Sequence, residues 1–493
     1  MKFCQIKKAA AIAAWMLMLP PRYAAQAQHN ATMYFMRDLP AVNMINPAFQ
    51  PEAGSIYVGI PLISSVYLDG GATLSGINLS NILSSKFHLT SAAKNPAASE
   101  GVYANADVNL INVGILVRDM YFTLDITEKT RAEVAIPADV IKLAWYGNAR
   151  YTGQTIPLSG LGAHACSYAE VALGFSKNIV RDRITVGGKV KRLLGVTFID
   201  AGLKADAFFR TNLDWSTTMS GSSEFSIAGI PATMPDDICT YKFAGKGWGM
   251  DVGFDIKADR FIVSGSVLNV GAIRWSGVKR KSGSIDRTFR AENLLDELEK
   301  GKEKIEDIMD DVGGFIDEDD AGATVSTEEV LSWTPSTAAV SVAYPLNRHL
   351  AAGALAGIAI GRYNSYPLLA LSLNTWKYPI NGSLSYSYGH SHNLGLGLLF
   401  GRRDAQLHVI CDNLFAASYQ TAQKINLRFG LNLLLGAPKQ TGERRKTWSP
   451  LNSIDHPDNP YKDPENPQPK PRPLNPLLPP AAQPASKQPL NPL

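Results

Sequence analysis

A chain of 493 residues, 45% hydrophobic and 19% charged with a formal net charge of +4, is long enough for a large fold and mixes its charges. Lys2, Lys7, Lys8 and Arg22 all fall in the first segment, so the remainder is close to neutral and lacks the basic footprint of a nucleic-acid binder. Cys4, Cys166, Cys239 and Cys411 form neither a disulfide framework nor a zinc spacing; the last three leave open one disulfide or three free thiols.

In chain order, Lys2, Lys7 and Lys8 form a basic n-region, Ala9 to Leu19 an apolar run, and Ala25-Gln26-Ala27 a small-x-small site. This predicts a signal peptide over 1–27, cleaved between Ala27 and Gln28. The apolar run is too short to span a bilayer, Pro20-Pro21 ends it, and Cys4 lies on the wrong side of it for a lipoprotein. Residues 28–55 form an N-terminal segment, polar and aromatic at first, that runs into NMINPAFQPEAG.

Alternating apolar strands follow at Ile56–Leu62, Asp107–Val117, Met120–Thr127 and Arg131–Ile136. DVIKLAWYGNARYTGQTIPLSGLGAH lacks alternation and reads as a helical turn and loop in or near a lumen. Strands resume at Ala169–Lys177, Ile184–Phe198, Lys204–Trp215, Ser223–Ile230, Gly247–Ile256 and Phe261–Trp275. After a long insertion come Ala338–Tyr344, Leu350–Ile360, Leu368–Trp376, Gly382–Tyr388, Leu394–Gly401, Gln406–Ile410 and Lys424–Leu435.

Many arms are about ten residues, the length a tilted strand needs to cross the hydrocarbon layer. Short charged turns such as Val180-Arg181-Asp182-Arg183 and Lys257-Ala258-Asp259-Arg260 alternate with longer connections, as expected if the short turns face the periplasm. No segment after the signal has eighteen uninterrupted apolar residues, so helical spans are not expected. The pattern predicts an all-β fold, an antiparallel transmembrane β-barrel of about 14 strands over residues 56–436. The alternative is a water-soluble β-sandwich, whose strands usually run five or six residues.

The insertion at 288–330 places Leu294, Leu298, Ile305, Met309 and Val312 near helical spacing and reads as an amphipathic acidic helix. The end of the chain holds nearly half of its 30 prolines, so residues 437–493 read as a disordered, polyproline-like periplasmic tail, either a spacer or a tether.

Chemistry is sparse. Asp317, Asp319, Gly322 and Glu328 match positions of a calcium-loop template, but Ala321 supplies no oxygen and the stretch reads as a solvated acidic loop. His390-Ser391-His392 sits in a glycine-bounded turn without an acidic or cysteine partner nearby. No nucleophile elbow, zincin or phosphate-loop motif is present. The expectation is a protein that is not an enzyme and has no catalytic, metal or cofactor site.

Asn46-Pro47-Ala48, AWYGNA at 144–149, SYAEVALGFSKNIVRDRITVGGKVKRLLGV, Cys411-Asp412-Asn413-Leu414 and INLRFGLNLLLG together resemble outer-membrane barrels related to the FadL-type channels. They also resemble the PorV and PorP/SprF proteins of type IX secretion. The resemblance covers most of residues 30–436. It implies a fourteen-stranded barrel in the outer membrane of a Gram-negative bacterium, reached by Sec export. It also implies an N-terminal segment folded into the lumen around Asn46, Pro47 and Ala48, a candidate lumenal or structural motif.

The function expected first is a structural or docking component of an outer-membrane, secretion-related assembly, with a protein partner bound through the proline-rich tail. The alternative is a FadL-like channel for hydrophobic or amphipathic small molecules. The expected partners are therefore the lipid bilayer, an outer-membrane or periplasmic protein and an amphipathic ligand, and no nucleic acid.

Overall fold

The computed structural model describes residues 30–51, 56–72, 99–180, 183–229, 243–258, 261–289, 326–347, 350–361, 365–377, 380–388, 392–401, 405–414 and 424–435. The signal cleavage site at Ala27 and Gln28, the centre of the 288–330 insertion, Asp317, Asp319, Gly322, His390, Cys239 and the 437–493 tail lie outside the described residues.

The first wall position is shared by β1 (Ile56–Gly59) and β2 (Val66–Ala72). Then come β3 (Ser99–Val117), β4 (Met120–Pro137), helix α1 (Ala138–Tyr146), β5 (Thr155–Pro157), β6 (Gly162–Val180) and β7 (Ile184–Leu203). β8 (Phe208–Thr211) and β9 (Thr217–Ala228) lead into β10 (Gly245–Lys257) and β11 (Ile262–Phe289). β12 (Ser326–Trp333) and β13 (Ser336–Asn347) precede β14 (Leu350–Ile360) and β15 (Ser365–Lys377). The chain finishes with β16 (Ile380–Tyr388), β17 (His392–Gly401), β18 (Ala405–Cys411) and β19 (Lys424–Leu435).

Neighbouring strands pair antiparallel, and β19 pairs with both β1 and β2, which closes the sheet on itself. Two further positions are composite: β10 below and β9 above fill the space between β7 and β11, and β13 and β12 share the far side of β11. β5 and β8 pair only with each other and with β9. The result is a closed 14-strand antiparallel barrel, as the alternation predicts.

Its burial is inside out. On β4, Thr123, Asp125, Thr127 and Lys129 are buried while Phe122 and Leu124 are exposed; on β16, Ser383, Ser385 and Ser387 are buried while Leu384 and Tyr386 are exposed. A soluble sandwich would have to leave those apolar residues in water and its serines in the core. Facing lipid outside and polar neighbours inside, the same residues are satisfied, so this is a membrane barrel of the outer-membrane type. Aromatic pairs Phe122–Phe175 and Phe261–Tyr344, each 5.2 Å between centroids, mark the rim near the short connections. Trp248 and Trp333 lie outward toward the other rim.

Several boundaries differ from the alternation. Met120–Thr127 and Arg131–Ile136 are one continuous strand: the polar run Glu128-Lys129-Thr130 that separates them in sequence stays extended, with Lys129 and Arg131 turned inward into ion pairs. Lys204–Trp215 is mostly turn, with only Phe208–Thr211 extended. β1 stops at Gly59, and Leu62 takes a left-handed conformation with φ 68°. β2 was not expected, its YLDGGA stretch being polar. The 288–330 insertion is narrower than read, since β11 continues through Phe289 and β12 begins at Ser326; Glu328 lies on β12 opposite Val278, not in a loop. At 28 residues β11 is far longer than a span requires, and with β9 it carries the wall beyond the membrane.

Candidate functional site

Residues 30–50 fold inside the barrel as two short 3-10 turns, Met33–Phe35 and Pro40–Met44. Met33, Phe35, Leu39, Val42, Ile45 and Phe49 are buried against inward-facing Leu268, Leu355, Leu368, Leu399 and Ile410. That apolar wall sector differs from the polar remainder of the lumen, so burying it under the segment removes from water the part of the lumen least suited to it.

Polar anchors fix the segment along its length. The Asp412 carboxylate accepts from Thr32 N at 2.9 Å and Asn30 N at 3.1 Å, and Thr32 Oγ1 meets Ser385 Oγ at 2.6 Å. Arg37 donates to Asp255 Oδ1 at 2.6 Å and Ser264 Oγ at 2.7 Å, with its guanidinium 4.3 Å over the Phe49 ring. Ser266 Oγ donates to Ile45 O at 2.9 Å.

The Asn46-Pro47-Ala48 motif sits where the segment meets β7, β10 and β11. Asn46 is fully buried; its Nδ2 donates to Tyr34 Oη at 3.1 Å, Gly265 O at 3.2 Å and Phe254 O at 3.3 Å, and its Oδ1 accepts from Ala48 N at 3.0 Å. Asn43 Nδ2 donates to Pro47 O at 3.0 Å and Phe49 O at 2.8 Å. The wall makes room with glycine: a side chain at Gly187 would run into the Pro47 carbonyl, and one at Gly253 into Asn46. Gly187→Val is therefore expected to cost about 1–3 kcal/mol, the usual penalty for overpacking a close contact. A lowered denaturant midpoint and faster proteolysis of residues 30–50 in detergent would check it.

Above this plug lies a cavity of ≈ 190 Å³ with two unlike walls. One is apolar, with Ile45, Leu268, Ile273, Leu355 and Leu368. The other is a set of ion pairs spanning five neighbouring strands, β3, β4, β6, β7 and β10. Lys189 meets Asp125 at 2.6 Å, Lys129 meets Glu170 at 2.8 Å, and Lys191 joins Glu170 at 3.0 Å to Asp251 at 2.7 Å. Arg131 meets Asp107 at 2.5 Å.

Asn269 knits the lattice to β11. Its Oδ1 accepts from Lys191 at 2.7 Å and Lys129 at 3.3 Å, and its backbone N–H donates to Asp251 Oδ1 at 2.6 Å. Asn269 can do this because the register of β10 and β11 shifts between Met250 and Val252, and its own backbone is left-handed with φ 57°, a conformation asparagine tolerates.

Sequence reading singled out Asn46, Pro47 and Ala48, and named Asp412 only within the Cys411-Asp412-Asn413-Leu414 step without a role; it did not find Arg37, Asn269 or the lysine–carboxylate lattice. One clue was available: Arg37 is the only Lys or Arg in residues 28–55. Cys166 and Cys411 are not bonded to each other. Among the described residues no group of three or more His, Cys, Asp or Glu side chains is placed to hold a metal ion.

The sequence pattern of a family described as "Family of unknown function (DUF5723)" matches residues 47–412. No curated protein matches the sequence. Among solved structures, the chain resembles the TodX deltaS2S3 mutant monoaromatic hydrocarbon channel at 10% identity and TM-score 0.41, covering 80% of this chain and 93% of that one; TodX is a Pseudomonas putida toluene transporter. It resembles the Ralstonia pickettii toluene transporter TbuX at 9% identity and TM-score 0.39, over 80% and 92% of the two chains. A Pseudomonas aeruginosa FadL homologue gives 10% identity and TM-score 0.39, over 84% and 98%. These likenesses are too loose to transfer a site.

Proposed function

The chain belongs to the DUF5723 family of unknown function, and we propose that it is an outer-membrane channel protein that binds a small amphipathic molecule above its lumenal plug. The observation that carries this reading is the cavity with an apolar wall facing a polar one. An alkyl or aromatic body would lie along Leu268, Ile273 and Leu355, leaving a polar end toward Asn269 and the lysines. Lys129, Lys189 and Lys191 each already have a carboxylate partner. The polar end is therefore held by hydrogen bonds, not by an uncompensated charge, which favours a neutral or singly charged group over a polyanion.

The test is native mass spectrometry of the protein extracted from outer membranes in mild detergent. Wild type is expected to carry an amphiphile. Thr337→Trp, which fills the cavity from β13, is expected to lower its occupancy at least about tenfold, equivalent to ~1.4 kcal/mol. The variant should keep the heat-modifiable gel migration of a folded barrel.

A second reading, a docking component of an outer-membrane assembly, is favoured by the wall extension. Its turn between β8 and β9 holds Leu213 and Trp215 strongly exposed, with Trp215 left-handed at φ 65° and braced by Asp214 on Ser216 N at 3.1 Å. Stoichiometric copurifying protein without an amphiphile would move the assignment to that reading.

A further inference from the structure

Three basic side chains converge on the outside of the wall. Arg192 of β7, Lys246 of β10 and Arg274 of β11 lie on adjacent strands; Lys246 stands directly opposite Arg274, and Arg192 opposite Trp248. Alternation turns all three outward, since Lys191, Gly247 and Ile273 beside them are buried. Trp248 and Trp333 flank the group, 61% and 72% exposed. The Arg192 guanidinium lies 4.9 Å over the Trp248 ring.

The outward charges do not cancel. Glu329 meets Arg274 at 3.3 Å, and Glu128 on β4 is turned to Ser167 Oγ at 2.5 Å. Lys246 has no acidic partner among the described residues. Like charges directly opposite on one face of a sheet repel, and Glu329 answers only Arg274, so the group keeps a net positive charge for an anion.

Height says which anion. Lys246 lies eleven residues along β10 from Lys257 at the short connection, about 28 Å up the barrel for a strand tilted by ~40°. The apolar band of such barrels is about 25 Å tall. Trp248 therefore sits at the upper edge of the hydrocarbon and Lys246 just beyond it, where headgroup phosphates lie.

We propose that Arg192, Lys246 and Arg274, with Trp248 and Trp333, form a site for the phosphate-bearing headgroup of an outer-leaflet lipid. Arginine forks and the lysine take the phosphate oxygens, and the tryptophans pack on the first part of the lipid's apolar body. Free phosphate would satisfy the cations but leave the exposed apolar faces of both rings uncovered.

The full chain in detergent is titrated with lipid A, with the same lipid stripped of its phosphates, and with inorganic phosphate, bound species being read by native mass spectrometry. Lipid A is expected to bind at least about tenfold more tightly than either comparison. R192Q/K246Q should weaken it at least about tenfold, and K279Q, farther along β11, should leave it unchanged. Trp248→Leu, an outward change that spares the interior, should also weaken lipid A while the folded gel migration persists. Equal binding of the stripped lipid, equal affinity for inorganic phosphate, or a folded R192Q/K246Q protein that binds as wild type each overturns the site.

Discussion

Lys189→Met is expected to destabilise the barrel by about 3 kcal/mol, because it strands the Asp125 carboxylate in the lumen wall. The two side chains are 3% and 6% exposed and their contact is 2.6 Å, so neither is solvated enough to do without the other. The double substitution K189M/D125L removes both charges and should recover most of the loss, since an apolar pair of similar volume is often neutral beside a buried ion pair. A double-mutant cycle on guanidinium unfolding in detergent, followed by tryptophan fluorescence, separates the pair's coupling from simple loss of packing. Additive effects of the two single changes would mean that water in the adjoining cavity already solvates the pair.

Deleting residues 30–50 is expected to raise single-channel conductance in planar bilayers at least about tenfold, because a polar-lined barrel without its plug leaves an aqueous path. The segment occupies the lumen with Leu39, Val42 and Phe49 and is tied at Asp412, Arg37 and Asn46. A graded version is Arg37→Leu, which removes the charge holding Asp255 and should give intermittent openings without abolishing the fold. Unchanged current after the deletion would show that the loops above, not this segment, close the pore.

Strands whose alternation is uninterrupted were legible, such as β10 with Trp248, Met250 and Val252 out and Asp251 and Asp255 in. β4 was cut in two at Glu128–Thr130 because the inward positions change there from Thr to Lys129 and Arg131, and a one-dimensional pattern cannot see their partners on β3 and β6. The upper part of β11, SGVKRKSGSIDRTF, buries Val278 in the cluster around Trp275 but shows no sustained alternation, because beyond it the strand pairs with the polar strand β9. The lattice was hidden for a related reason: Asp125, Glu170, Lys191 and Asp251 come from four strands, and an extra residue on β11 opposite Asp251 and another on β3 between Asn109 and Ile111 change the phase of alternation on those two strands. Asn46-Pro47-Ala48 stood out only through the resemblance to outer-membrane barrels, and the glycines that receive it, Gly187 and Gly253, look like any others in a strand.

The seam of the barrel imposes an order of events. Tyr57 donates to Asn432 Oδ1 at 2.8 Å across a sequence separation of 375 residues, so the loop with the largest closure entropy in the wall is shut by these end strands, after the local hairpins between them have formed. The first of those end strands begins at Ile56, only a few residues beyond the plug's last buried anchor at Phe49. Whatever brings β1 to β19 thus draws the plug along with it, and sealing and plugging become one step in time. A newly made barrel then has no interval in which it stands open, and a molecule above the plug is either enclosed at that step or enters through the finished wall.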